Sequence, residues 1–136
     1  MTSGTYTVGT YITGVEPGTT ASTLLSGLTC TGGTIKILNS DFTENTGTVA
    51  TGNKVGVYVD GTLVDWKDIV IYGDTTGDGK INVLDAIKLN RHSIGLANMS
   101  GCYLTAADAS RDGNVNILDS IVINRYTIGL ASVNQK

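Results

Sequence analysis

Short runs of alternating apolar and polar residues, separated by turn formers, fill the chain from Thr10 to Tyr72. "TYITGV" (Thr10 to Val15), "GTIKIL" (Gly33 to Leu38), "KVGVYV" (Lys54 to Val59) and "WKDIVIY" (Trp66 to Tyr72) carry period-two or continuous apolar stretches. Each predicts a strand. Asp60-Gly61, between two apolar runs, is a hairpin signal, because both residue types tolerate the positive φ of the favoured tight turns. One stretch, "PGTTASTLLSGL", breaks the pattern. There Thr19 or Thr20 can cap a short helix carrying Leu24 and Leu25, and Gly27 can end it. Residues 1–72 therefore read as a small α+β module, one sheet with a helix against it, or as a β-sandwich-like variant of that theme.

After Gly73 the pattern changes to loop and helix, and it is written twice. An offset of 34 residues pairs Asp74 with Asp108, Asp78 with Asp112, Gly79 with Gly113 and Asn82 with Asn116. The match runs on through Leu84-Asp85 with Leu118-Asp119, Asn90-Arg91 with Asn124-Arg125, and Ile94-Gly95-Leu96 with Ile128-Gly129-Leu130. Each copy reads as a loop followed by about three helical turns, closed at Gly95 or Gly129. Two copies are too few for a solenoid but enough for a pair related by a pseudo-twofold axis.

All six acidic residues beyond Gly73 lie in these two phrases, at loop positions 1, 5 and 12. Three carboxylates confined to one loop repel one another unless a cation lies among them. A hard cation with oxygen ligands answers that need, and Ca²⁺ accepts the irregular shell such a loop offers. In the EF-hand arrangement positions 1, 3, 5, 9 and 12 act through side chains, position 7 through its carbonyl, and Gly at position 6 makes the turn. The first loop then supplies Asp74, Thr76, Asp78, Lys80 (backbone), Asn82 and Asp85, with Gly79 at the turn. The second supplies Asp108, Ser110, Asp112, Asn114 (backbone), Asn116 and Asp119, with Gly113 at the turn. Two ions are expected, one per loop. Position 3 is a hydroxyl and position 12 an Asp, one methylene shorter than the usual Glu. Ile81 and Val115, at position 8, are expected to bridge the loops through a short β-contact.

"DTTGDGKINVLDAIKLNRHSIG" and "DASRDGNVNILDSIVINRYTIG" resemble the duplicated segments of a type I dockerin. The likeness covers residues 73 to about 131 and includes the Asp at position 12, the connecting stretch "LANMSGCYLTAA" and the lack of a helix before either loop. It implies an all-α module over 73–136, built of two EF-hand-like Ca²⁺ loop–helix repeats, that binds a cohesin module of a scaffoldin or cell-surface protein. It also implies a cellulosome-like assembly of secreted bacterial enzymes, an extracellular location, and a chain that is monomeric when unbound. Residues 1–72 more loosely resemble the X-type or Ig-like companion modules that precede some dockerins, which implies a supporting role. On that likeness the chain is a piece of a larger secreted protein; its start, "MTSGTYTVGT", carries no basic-then-apolar leader.

The resemblance places partner contacts at loop positions 10 and 11 and further along each helix. Those residues are Val83, Leu84, Asn90 and Arg91 in the first copy, and Ile117, Leu118, Asn124 and Arg125 in the second. Ile87, Ile94, Ile121 and Ile128 stand at helical spacing from Leu84 and Leu118, so these two leucines could equally be core. The near-match of the two copies suggests docking through either helix, with unequal strength. Lys88 against Val122, and His92 against Tyr126, break the symmetry.

The formal charge of −3 points to neither nucleic acid nor an anionic membrane as partner, and no apolar run is long enough to cross a bilayer. Cys30 and Cys102 have no metal spacing and read either as unrelated small residues or as one disulfide between the halves. No catalytic residue is expected: the single histidine, His92, lies in a helix with no nucleophile or carboxylate pair outside the metal loops. Trp66 and Tyr58 could stack on sugar rings, the competing reading of a carbohydrate-binding or surface-adhesion fragment, in which the Ca²⁺ sites are only structural. Both lie in strand-like runs, where aromatic rings commonly pack the core.

Overall fold

The computed structural model describes residues 1–136. Strand β1 (Thr7–Val8) pairs antiparallel with β2 (Ile12–Thr13), and helix α1 (Ala21–Ser26) follows. Strands β3 (Thr34–Leu38), β4 (Lys54–Val59) and β5 (Thr62–Asp68) form one antiparallel sheet in sequence order. Helices α2 (Val83–Ser93), α3 (Gly101–Ala107) and α4 (Ile117–Thr127) make up the rest. The amino-terminal half is strand-rich and the carboxy-terminal half helical, an arrangement compatible with two modules. No helix is long and apolar enough to cross a membrane.

The local signals behave as their chemistry requires. Thr20 caps α1, its Oγ1 accepting the Thr23 N–H at 3.3 Å, and Gly27 closes it. Asp60 and Gly61 both adopt positive φ, 51° and 79°, which matches the tight turn between β4 and β5 to the twist of the strands. Past Val57 the β4–β5 register slips, so Leu63 faces Tyr58 while Trp66 faces Gly56. That bulge brings Leu63 and Trp66 to the same face despite their odd spacing.

Two strand expectations need correction. Of Thr10–Val15 only Ile12 and Thr13 pair, because Gly14 turns the chain at φ 83°. The run from Trp66 to Tyr72 leaves the sheet at Asp68. Ile69, Val70 and Ile71 continue fully buried, held by the Ile69 N–H on Asn53 O (2.8 Å) and the Val70 N–H on Ile12 O (2.9 Å). The expected continuous apolar strand is thus half edge strand and half buried connector. Trp66 is also not core: it is 47 % exposed, while Tyr58 is half-buried. Both cysteines are free thiols, so no disulfide joins the halves.

One hydrophobic cluster runs through both halves. Ile12, Leu24, Ile37, Val55, Ile69 and Ile71 belong to it, together with Ile81, Leu89, Ile123 and Val133. Ile81 packs against Gly73, where a Cβ would lie 3.2 Å from it, and Val115 packs at the cluster's margin. They sit in this core and form no β-bridge with each other, contrary to expectation. A helix does precede the second loop: α3 runs to Ala107, next to Asp108. Its buried Cys102 and Ala106 pack on Val70, which supplies the apolar support that its short length lacks.

Candidate metal loops and docking faces

The two loops are built alike. In the first, Asn82 caps α2, its Oδ1 accepting the Leu84 N–H at 3.0 Å, while Asp85 Oδ2 accepts the Asn82 N–H at 2.8 Å. In the second, Asn116 accepts the Leu118 N–H at 2.9 Å and Asp119 Oδ2 accepts the Asn116 N–H at 2.9 Å. These capping boxes put negative charge where the helix dipole favours it. The other oxygen of each position-12 carboxylate closes the loop. Asp85 Oδ1 accepts the Thr76 N–H (3.0 Å) and hydroxyl (2.9 Å), and Asp119 Oδ1 accepts the Ser110 N–H (3.0 Å) and hydroxyl (2.7 Å). The hydroxyls at position 3 therefore donate to the carboxylate at position 12. One aspartate thus belongs at once to the loop and to the start of the helix that follows it.

The carboxylates converge. An oxygen from each of Asp74, Asp78 and Asp85 lies within 4.8 Å of the others, and the same holds for Asp108, Asp112 and Asp119. Asp74 Oδ1 accepts from Gly77 and Asp78, and its Oδ2 from Gly79. Burial pushes Asp74 up to about 6, the neighbouring Asp85 and Asp78 charges add to the rise, and the Thr51 and Gly79 amides oppose it. Burial also raises Asp85 and Asp108, whereas the Asn114 amide lowers exposed Asp112. Crowded carboxylates, some pushed toward their neutral form, with only oxygen donors around them, suit a hard divalent cation. Asp74 and Asp85 are buried, Asp78 and Lys80 exposed, and Thr76 and Asn82 intermediate. In the second copy Asp119 is buried, Asp108 and Asn116 are intermediate, and Ser110, Asp112 and Asn114 are exposed.

Each helix ends in the same way. The Leu96 N–H donates to Arg91 O and the Gly95 N–H to His92 O; Leu130 and Gly129 do likewise to Arg125 and Tyr126. With Gly95 and Gly129 at φ 78° and 77°, both are Schellman caps. All eight residues anticipated at the partner surface are exposed: Val83, Leu84, Asn90 and Arg91, and Ile117, Leu118, Asn124 and Arg125. The structure resolves the two leucines as surface. It also adds the four isoleucines at helical spacing from them and the leucine that follows each closing glycine. Ile87, Ile94 and Leu96, with Ile121, Ile128 and Leu130, join the first four apolar residues in being between 41 % and 74 % exposed. Ala86 and Leu89 of α2 and Ile123 of α4 are the apolar positions buried in the core. A duplicated loop–helix unit that turns matched apolar rows outward has the surface chemistry that suits contact with another protein.

Residues 72–127, about two fifths of the chain, match the family model of the dockerin type I domain, and this segment belongs to that family. No curated protein and no solved structure matches the chain. Dockerin domains are non-catalytic, bind Ca²⁺ and cohesin modules, and occur in secreted bacterial proteins. The segment is thus a calcium-dependent protein–protein interaction domain. Two residues that sequence reasoning did not single out now matter. Thr51 touches the first loop across the two halves, and Gln135 ties the tail to Tyr72. Neither lies in a motif, and only long-range pairing reveals them.

Proposed function

We propose that the chain is an adaptor that docks a cohesin module of a scaffoldin or cell-surface protein, anchoring a secreted bacterial protein in a cellulosome-like assembly. Residues 1–72 are the supporting module and 73–136 the docking one. Two Ca²⁺ ions serve it, one held by Asp74, Thr76, Asp78, Lys80 O, Asn82 and Asp85. The other is held by Asp108, Ser110, Asp112, Asn114 O, Asn116 and Asp119. The observation that carries this reading is the residue-for-residue exposure of the same apolar positions and the same Asn-Arg pair on α2 and α4. The apolar rows exclude water at the contact, while Arg91 or Arg125 sets register by charge and hydrogen bonding. Calcium neutralises Asp85 and Asp119, which also cap the docking helices, so metal binding contributes to the rigidity of the face. Calorimetry against a panel of cohesins, with and without chelator, tests it; chelator-insensitive binding, or none to any cohesin, would sink the adaptor reading.

One observation favours a second role for the strand-rich half. Phe42 holds φ 70°, a left-handed conformation that costs roughly 1–2 kcal/mol for a residue with a side chain. It is nonetheless 43 % exposed and sits edge-on to Trp66 at 5.0 Å. An exposed aromatic pair beside the Lys54–Asp68 ion pair offers both stacking and hydrogen bonding to a sugar ring. Affinity electrophoresis in soluble plant polysaccharides decides it: the intact chain should be retarded and Trp66→Ala should not.

A further inference from the structure

We infer that the turn from Val49 to Asn53 is a working part of the first calcium loop, with Thr51 as a positioning residue for Asp74. On the adaptor reading, which this deepens, the first loop is then the tighter calcium site, and filling it also stabilises the strand-rich half.

The Thr51 N–H donates to Asp74 Oδ2 at 3.0 Å, beside the Gly79 N–H on the same oxygen. Thr51 is itself locked in place: its hydroxyl donates to Ile71 O at 3.2 Å and accepts the Ile71 N–H at 3.0 Å, and the residue is 1 % exposed. The turn lies directly on the loop backbone. A Cβ on Gly77 would stand 2.8 Å from Thr51 O, and one on Gly79 would stand 2.9 Å from Val49 O.

The second loop has no such partner. Asp108 Oδ2 accepts only the Gly113 N–H, Asp108 is half-buried, and a Cβ on Gly113 would meet nothing within 4 Å. The two copies also differ in sequence at this point. Position 4 is Gly77 in the first loop and Arg111 in the second, both with positive φ (76° and 64°). The second loop carries an exposed side chain there, whereas a Cβ in the first would press on Thr51 O. Groups that orient a metal ligand from behind typically change affinity by roughly 10–100-fold when lost. A loop held in place beforehand also loses less freedom on binding.

The test is Ca²⁺ titration of the full chain by calorimetry, with hydrogen exchange read residue by residue. Two steps are expected; Asp78→Asn should remove the tighter one and Asp112→Asn the weaker. Gly77→Ala should weaken the tighter step by about 10-fold or more and leave the other unchanged. In the unaltered chain, the first equivalent of Ca²⁺ should slow exchange of the Thr51, Gly52 and Ile71 amides, a readout that does not depend on any variant folding. Equal affinities, loss of the tighter step in Asp112→Asn, or unchanged exchange in the turn would overturn the inference while leaving the adaptor reading intact. Absence of calcium binding at both loops would overturn both.

Discussion

Gln135 clamps Tyr72 from 63 positions away: its Nε2 donates to the Tyr72 carbonyl at 2.8 Å, and its Oε1 accepts the Tyr72 N–H at 2.7 Å. A side-chain amide here does what a neighbouring strand would do for an orphan peptide group. Tyr72 stands where the strand-rich half runs into the first loop, so the clamp fixes that junction. Arg111, from the second loop, lies over the Tyr72 ring at 4.1 Å and donates to the carbonyls of Asn134 and Lys136. The tail, the junction and the second loop are thereby held together.

Gln135→Ala should therefore destabilise the protein well beyond a surface change. The side chain is 2 % exposed, and its loss leaves the Tyr72 N–H and carbonyl without partners, at about 1–3 kcal/mol for each group that stays buried. Gln135→Glu keeps the acceptor for the Tyr72 N–H but loses the donor, and should fall between. Thermal melting of the calcium-loaded protein orders the three; an unchanged midpoint in Gln135→Ala would show that water replaces the clamp.

The raised Asp74 value makes metal-free and metal-loaded protein respond differently to pH. Its folded value of about 6 exceeds the ordinary 3.8, so the folded state holds the proton more tightly. The stability this contributes is fully present below 3.8 and is lost as pH rises through about 6. Asp85 and Asp108 shift in the same direction. Metal-free protein should thus gain stability on acidification from neutrality to about pH 5. Calcium must displace that proton, so its stabilising increment should shrink over the same range. Melting curves with calcium and with chelator would disprove this if the increment between them stayed constant.

The sequence made the second half far more legible than the first, for a physical reason. Loop ligands, caps and glycines act within a dozen residues of one another, so Asn82 with Asp85, or Gly95 after Ile94, is visible in the string itself. Duplication then removed the ambiguity of a single copy. The strand-rich half depends on pairing between distant segments. Nothing near Ile69 announces that it leaves the sheet to pair with Ile12, and nothing near Thr51 announces Asp74. Leu84 and Leu118 were undecidable because a period of apolar residues does not say which row faces the core. Leu89 and Ile123 occupy that row, which sends Leu84 and Leu118 outward.

Gly56 is the test of packing on the outer face of the sheet. A Cβ there would lie 2.9 Å from both Leu38 Cδ1 and Leu63 Cδ1, and 3.3 Å from the Tyr58 ring. The two leucines lean over the glycine from either flanking strand. Gly56→Ala should cost about 1–3 kcal/mol through overpacking, despite the better strand propensity of alanine. Denaturant unfolding should show a lower midpoint; a higher one would mean the leucines swing aside freely.

The last prediction concerns how many ways the docking domain can engage its partner. Two residues that make the helices unlike, Lys88 and His92, are engaged within the chain. Lys88 Nζ donates to Thr75 O at 2.7 Å and lies over the Tyr103 ring, and His92 Nδ1 accepts the Met99 N–H at 3.1 Å. What remains outside is a matched pair of faces. Two equivalent binding modes add their constants, so removing one should cost about twofold in affinity, or ~0.4 kcal/mol. Asn90→Ala with Arg91→Ala should thus cost little, and so should Asn124→Ala with Arg125→Ala. The quadruple variant loses the anchors of both modes and should fall by more than ~100-fold. Calorimetry against one cohesin is sufficient, because a large loss from either pair alone would show that only that helix docks.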